Sequence, residues 1–296
     1  MLTISIIIPT MNRIDSLKRT ISHIALSNAK PLEVIVVDQS TDKGVIAETK
    51  VLLNKQDFNC LYVHNEKPSL TKARNTGMAY VHGDLVIQMD DDVDVNPNTL
   101  STILDIFNNR NIAMLAGVNE GFDSKRRSPI GFIFWKKNWR KRNIGHVVKS
   151  LYGRFPEKIS DATPTEWSMG FFTVYRVALI KKWGLKWDEY LSSYAYAEDI
   201  DFSYSYFKKA KSEGLKCIMS SRVIVKHNVT KEWRIPSRKH TYMIINNRRY
   251  LRKKHFGNSL ISKFAVCWAD LGEYLRRLLK NEAARDWIDA MLGIPL

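Results

Sequence analysis

The hydrophobic positions change period repeatedly along the first third of the chain. Thr3-Ile4-Ser5-Ile6-Ile7-Ile8 is a near-continuous apolar run closed by Pro9, the pattern of a buried strand. Ile14, Leu17, Ile21 and Ile24 then recur at helical spacing and predict a helix over about 14–28. Glu33-Val34-Ile35-Val36-Val37 is β-branched almost throughout, as in a strand buried on both faces. Past the polar loop Asp38 to Asp42, the pattern predicts a helix over about 43–54, a strand from Cys60 to His64 and a helix from Ser69 to Tyr80. A strand from Asp84 to Met89, a helix over about 97–109 and a short strand from Ile112 to Gly117 complete the series. Strands alternating with helices across short loops predict an α/β fold built on a parallel, doubly wound sheet.

Residues 118–165 lose this periodicity. The stretch mixes charges with Phe132, Phe134, Trp135, Trp139 and Tyr152, and a loop this long in a compact domain is usually functional. Trp167 to Arg176 reads as a strand in which Gly170 either lets a ligand approach the backbone or marks a bulge. Glu198, Asp199 and Asp201 open a helix that runs to about Gly214. Helical neighbours diverge by about 100°, so one of these acids can face a pocket while another caps the helix. Lys216–Ser220 and Val223–Lys226 predict two short strands, with His227 closing the second. Residues 236–256 form a basic helix. Ile261, Phe264, Trp268, Leu271, Leu275 and Leu278 mark a final amphipathic one. Such a stripe ordinarily packs on its own domain; a dimer seam and a membrane-surface helix are the alternatives.

Composition narrows the partners. The chain has 296 residues, 45% of them apolar, and three widely spaced cysteines, read as reduced thiols of a cytosolic protein. It enters a strand at once with no secretory signal pattern, and no apolar run reaches the roughly 20 residues that span a bilayer. Formal net charge is +16, but residues 124–156 and 226–256 alone carry +19, so the remainder is slightly acidic. Two local basic segments suit a local anionic partner: anionic lipid, a pyrophosphate-linked acceptor, or nucleic acid.

The candidate chemistry lies in Asp90-Asp91-Asp92-Val93-Asp94, directly after an apolar strand. Adjacent carboxylates repel, and the run is costly unless cations offset it. Hard oxygen ligands there suit Mg²⁺ or Mn²⁺ together with substrate phosphates. A plain acidic loop is the simpler reading. Asp38 and Asp90 to Asp92 both end strands, however, which puts two acidic groups on the sheet edge where ligands of such folds bind. No Gly-x-Gly-x-x-Gly or Gly-Lys-Ser/Thr loop is present. Asp94 is assigned to capping the next helix.

Five stretches in order carry a family resemblance: Ile6 to Arg13, Val36 to Asp42, Ala73 to Gly77, Gly83-Asp84 with Met89 to Asp92, and Ala197 to Asp201. Together they resemble family 2 glycosyltransferases of the GT-A fold, over about residues 3 to 256. The resemblance implies a Rossmann-like, mostly parallel sheet flanked by helices. Residues 1–230 would be the catalytic domain, with a nucleotide-binding half at 1–117 and an acceptor-binding half at 118–230. Residues 231–296 would be a basic, amphipathic helical extension. Pro9, Thr10 and Arg13 would line the base and ribose pocket, Asp38 would accept from the base, and Arg74 would contact the nucleotide. Asp90 to Asp92 would form the Asp-x-Asp motif, Asp90 near the ribose, Asp91 within the nucleotide site and Asp92 on Mn²⁺ or Mg²⁺, with His227 a further candidate ligand. Asp199 would be the general base and Glu198 its alternative. Trp167, Met169 and Gly170 are candidates for the loop against donor sugar and acceptor.

The implied reaction is inverting transfer of one sugar from a nucleoside-diphosphate sugar, UDP in preference to dTDP, to a glycan or polyprenyl-linked acceptor. The implied place is the cytoplasmic side of the cell membrane, at its anionic surface, with a homodimer through the last helix as one use of the stripe. Processive members carry Gln-x-x-Arg-Trp and transmembrane helices, which this sequence lacks. Gln39, where many members carry a second acid or Asn, leaves the base preference open. A nucleotidyltransferase-like enzyme is the second reading. A nucleic-acid-binding protein is the third, and it leaves the acidic clusters unexplained.

Overall fold

The structure is a computed structural model, and it describes residues 1–122, 133–136, 138–229, 237–280 and 282–295. Phe132 and Glu232 lie outside the described residues, as does the side chain of Trp139. The alternation is realised as β1 (Ile4–Thr10), α1 (Ile14–Ala25), β2 (Glu33–Asp38), α2 (Lys43–Asn54), β3 (Cys60–His64), α3 (Leu70–Met78) and β4 (Leu85–Met89). A two-residue β5 (Val93–Asp94), α4 (Thr99–Phe107) and β6 (Ile112–Asn119) follow. Beyond the aperiodic stretch, with its short β7 (His146–Val147), β8 (Gly153–Arg154) and β9 (Thr163–Pro164), come β10 (Phe172–Arg176), α5 (Val177–Trp183), α6 (Glu198–Ser212) and β11 (Lys216–His227). Three helices end the chain: α7 (Ser237–Phe256), α8 (Leu260–Leu279) and α9 (Ala284–Leu292).

The main sheet has the order β3-β2-β1-β4-β10-β6-β11-β5. β1 to β4 pair in parallel. Every residue of β1 and β2 is buried, as a sheet covered on both faces requires. On one face Ile6 and Ile8 meet Leu17 and Ile21 of α1 and Ile103 and Phe107 of α4. On the other, Ile7 and Val37 meet Ala73 of α3 and Phe202 and Tyr206 of α6. The sheet is mixed because β10 inserts antiparallel between β4 and β6, Phe172 opposite Met89 and Thr173 opposite Ala116. Strands from both halves of the chain therefore share one sheet.

Several expectations are corrected. Trp167 to Phe171 is a loop, and only Phe172 onward pairs as a strand. The two short strands after residue 215 are one strand, β11, with an irregularity between Met219 and Ile224. Asp94 does not cap α4, whose N-cap is Asn98; it sits in β5, ion-paired to Arg19 of α1, with His23 Nε2 at 3.7 Å. Asp201 is buried and spent on docking α7, taking Lys254 Nζ at 2.8 Å and His255 Nε2 at 2.7 Å.

The largest correction concerns α8. It packs through its small residues, Ser262, Ala265, Val266, Ala269 and Gly272, while the large apolar stripe faces outward. Gly272 admits Phe134 against its Cα, where no Cβ would fit. Arg248 of α7 is fully buried, ion-paired to Asp270 of α8, donating to the Ser150 carbonyl at 2.6 Å, with its guanidinium 4.1 Å from the Tyr152 ring centre. Trp287 of α9, a helix the pattern did not announce, donates from Nε1 to the Asp270 carbonyl at 3.0 Å. No helix among the described residues is long and apolar enough to cross a membrane.

Arg248 is the pin of this extension. Arg248→Met would strand Asp270 as a buried charge, and urea unfolding should show a loss of about 3–5 kcal/mol. Adding Asp270→Leu should recover most of it, because an apolar pair leaves no charge unmatched.

Candidate active site

Because β1, β2 and β4 run parallel, Thr10, Asp38 and Asp90 emerge together at one edge, with Thr10 directly opposite Asp38. Two loops there are tied to each other. Asn12 adopts a left-handed backbone (φ 54°) and accepts the Thr41 N–H through Oδ1 at 3.1 Å, while its own N–H reaches Ser40 Oγ at 2.7 Å. Asp38 is wholly buried; it accepts the Ser40 N–H at 2.8 Å and the Tyr62 hydroxyl at 3.0 Å. Burial, reinforced by Asp38, pushes the Tyr62 phenol up.

Each acid of the 90–94 run has a basic partner from elsewhere in the chain, and Asp91 and Asp92 share Arg13. Arg13 Nη1 meets Asp91 at 2.8 Å and its Nη2 meets Asp92 at 2.6 Å. Thr10 also donates to Asp91, at 2.6 Å. Asp91 thus turns inward and acts on the site through Thr10 and Arg13; burial pushes its carboxyl up to about 7 against the pull of Arg13. Arg74 of α3, 1% exposed, reaches Asp90 at 3.3 Å, the Gly170 carbonyl at 3.1 Å and, closest, Glu198. Asp90 keeps a solvent-facing side and is raised by burial, with Arg74 opposing.

β11 pairs antiparallel with β5 and so brings His227 to the acids. Its N–H donates to Asn119 Oδ1 at 2.9 Å, and its ring lies flat on Phe171, with centres 5.0 Å apart. Nε2 is 3.1 Å from Asp92 Oδ1 and 4.0 Å from Asp90 Oδ2. Burial would lower the His227 pKa, but Asp92 and Asp90 raise it on balance; burial would raise Asp92, but His227 and Arg13 lower it. One ligand atom from each of Asp90, Asp92 and His227 lies within 4.8 Å of the others. Asp92 Oδ1 is buried and receives no aligned hydrogen bond. Two carboxylates and an imidazole, with one buried carboxylate oxygen lacking an aligned donor, fit a divalent cation.

At the start of α6, Asp199 accepts the Gly170 N–H at 3.2 Å and the Ile200 N–H at 2.8 Å. Gly170 therefore links Arg74, through its carbonyl, to Asp199, through its N–H. A Cβ there would lie 3.0 Å from Glu198 Oε1 and 3.1 Å from Arg74. The close approach is to these side chains. Glu198 is buried against Arg74 and is pushed up to about 7 by burial, with Arg74 opposing. Asp199 is raised mainly by burial and remains half-exposed. The segment entering α6 is strained: Ser193, Ala195 and Ala197 all have positive φ (58°, 51° and 67°), each costing on the order of 1 kcal/mol. The Leu70 N–H on the Ser193 carbonyl at 3.2 Å and Asn247 Nδ2 on the Tyr196 carbonyl at 3.0 Å hold it in place.

Of the remaining candidates, Pro9 is buried within β1 opposite Val37. Trp167 is spent on packing, its ring against Phe155 and its Nε1 on the Arg154 carbonyl at 3.0 Å. Met169 is exposed. Sequence reasoning did not single out Asn119, Phe171 or Tyr196. It also missed the cluster in which Lys136 Nζ, the Arg154 guanidinium and the Arg248 guanidinium lie 5.5, 4.9 and 4.1 Å from the centre of the Tyr152 ring. Burial raises the Tyr196 phenol, with Arg248 and Arg154 opposing and Asp199 adding to it. The only signal was the acid-free, aromatic character of residues 124–156.

Known proteins share the sequence pattern and the fold. The family described as Glycosyl transferase family 2 matches residues 5–184. A glucosyl-dolichyl phosphate glucuronosyltransferase of Haloferax volcanii is 24% identical over 163 residues, 53% of this chain and 51% of its own. A GalNAc(5)-diNAcBac-PP-undecaprenol beta-1,3-glucosyltransferase of Campylobacter jejuni is 26% identical over 188 residues, 60% of this chain and 53% of its own. The chain thus spans about half the length of these relatives. A mannosyltransferase of Pyrobaculum calidifontis, solved with GDP-Man and Mn²⁺, shares the fold at a TM-score of 0.58 and 13% identity, over 99% of this chain and 74% of that one.

The packing around Gly170 makes a direct prediction. Gly170→Ala must displace Glu198 or Arg74, both buried, and should cost about 1–3 kcal/mol in thermal or urea unfolding. Unchanged stability would show that the loop has room to move.

Proposed function

The chain belongs to glycosyl transferase family 2 and is a glycosyltransferase, and from that premise we propose an inverting, metal-dependent enzyme. It moves one sugar from a nucleoside-diphosphate sugar, UDP-linked in preference to dTDP, to a hydroxyl of a lipid-linked glycan or surface polysaccharide. The observation that carries this reading is the meeting of Asp90, Asp92 and His227 with Asp199 across a single bridge made by Arg74 and Gly170.

Asp90, Asp92 and His227 would hold Mn²⁺ or Mg²⁺, which offsets charge developing on the departing diphosphate. Thr10 and Arg13, braced by Asp91, line the nucleotide side. Asp38 faces the same edge and retains lone pairs for a donor on the base. On the acceptor side Asp199 takes the hydroxyl proton as that oxygen bonds to the anomeric carbon. The bond to the diphosphate breaks on the opposite face, and its electron pair leaves with the nucleotide. One displacement inverts the centre. Asp199 suits the task better than Glu198, because Glu198 is committed to Arg74 while Asp199 retains access to the cleft.

The acceptor class follows from two supports. Both relatives are named for lipid-phosphate-linked glycans, and here Lys136 and Arg154 gather around the Tyr152 ring, a basic cluster with which phosphate oxygens could pair. A lipid-borne acceptor places the enzyme at the cytoplasmic face of the membrane, as a peripheral protein. A nucleotidyltransferase or a nucleic-acid-binding protein would leave Asp199 and its strained approach without a use.

Asp199→Asn should leave nucleotide-diphosphate binding intact and reduce turnover by about 10²–10⁴-fold in a product-release assay; full turnover would move the base to Glu198. In thermal-shift titrations against UDP, dTDP and GDP, stabilisation by UDP should require Mn²⁺, and Asp92→Asn should remove it. Equal stabilisation without metal would take Asp92 out of a metal site.

A further inference from the structure

The outward face of α8 is a large apolar surface on a helix about 30 Å long. Phe264 is 52% exposed, Ile261 57% and Leu278 50%, and Leu275 continues the row. The segment before β7 adds to it: Ile133 and Trp135 are exposed beside the helix, Trp135 meeting Phe264 edge-on with centres 5.5 Å apart. Trp135 is held in this place at a cost. Its backbone is left-handed (φ 49°), and its carbonyl is fixed by Ser150 Oγ at 2.7 Å. A bulky aromatic at positive φ and half in solvent is strain retained in order to present the ring.

The exposed charges of the helix itself are basic, with Glu282 just beyond its end paired to Arg276. The two acids of α8 are turned away from it. Asp270 is fully buried with Arg248, and Glu273 is engaged by Lys136, Arg276 and Arg277. Lys263 in the first turns and Lys280 just past the end are exposed. Two copies meeting across a two-fold axis would set these lysines against each other, with no exposed carboxylate of the helix to pair with them. A flat surface that is apolar below and anionic at its edge matches all of these features.

We propose that α8, with Ile133 and Trp135, is an interfacial docking face that seats the protein on an anionic phospholipid bilayer. The helix lies in the headgroup plane, its apolar row in the acyl boundary and its lysines at the phosphates. This deepens the reading of a lipid-borne acceptor, and its test uses no acceptor, so the two can fail separately.

The test is flotation with vesicles of phosphatidylglycerol and phosphatidylcholine in equal parts, and with phosphatidylcholine alone. The protein should float with the first, release as salt rises, and bind the second more weakly. Phe264→Asp combined with Leu275→Asp should weaken binding at least about tenfold while the melting temperature and nucleotide-diphosphate binding hold. Should that pair fail to fold, Leu275→Asn with the same controls serves instead. Lys263→Glu or Lys280→Glu should each cost about fivefold on anionic vesicles and little on neutral ones. The inference is overturned if the wild-type chain ignores both vesicles, or if the apolar variants bind as well as wild type. It is equally overturned if sedimentation shows a dimer that Phe264→Asp dissociates, with no vesicle binding.

Discussion

The structure depends on how a run of carboxylates at the end of a buried strand is made tolerable. Asp90, Asp91, Asp92 and Asp94 would repel one another and resist burial. Their partners come from widely separated parts of the chain: Arg13 after β1, Arg19 in α1, Arg74 in α3 and His227 at the end of β11. Folding is the only way to bring these cations to one place, so the acidic run acts as an assembly point for the first half of the chain and for β11. The compensation is incomplete in one direction. Asp90 retains a solvent side and Asp92 Oδ1 lacks an aligned donor, and both face His227. The arrangement that would receive the proposed metal is therefore already assembled by the fold.

Much of this was legible from periodicity. β-branched runs gave the parallel strands and their burial, and the placement of Asp38 and Asp90 at strand ends gave the functional edge. His227 was legible as a strand-end residue, but its nearness to Asp92 depends on β11 running back beside β5, a pairing across more than a hundred residues that no local pattern encodes. The insertion of β10 between β4 and β6 was hidden for the same reason: its residues announce a strand, not a neighbour or a direction. The division of labour between Glu198 and Asp199 was only half legible. Helical geometry says that neighbours diverge. It does not say that Arg74 waits for the first of them.

The α8 stripe shows a different limit. Spacing identified the apolar face correctly and said nothing about which face the protein would cover. Burial went instead to Ala265, Ala269 and Gly272, because small residues let Phe134 and the neighbouring helices come close. Large residues on that side would have held the helix off and left Arg248 and Asp270 open to water. Close packing of the inner face and the buried ion pair are therefore one solution, and an exposed apolar outer face is its consequence.

This arrangement bears on Asp199, the base proposed above. Asp199 follows three left-handed residues that the local chain would not choose. They are held from two sides, by α3 through the Ser193 carbonyl and by α7 through Asn247 on the Tyr196 carbonyl. α7 is itself fixed to α6 through Asp201 and to α8 through Arg248. Asp199 thus stands at a junction, braced by α3 through Arg74 and Gly170 and by the C-terminal helices through Tyr196. α8 connects to Asp199 through the buried Arg248–Asp270 ion pair, α7, and the hydrogen bond of half-buried Asn247 to the Tyr196 carbonyl. A surface helix attached through a loose linker would leave an acceptor's position and the base's position independent of each other. Here the helix that faces outward and Asp199 are joined through α7 by direct contacts, so their positions are coupled without an intervening linker.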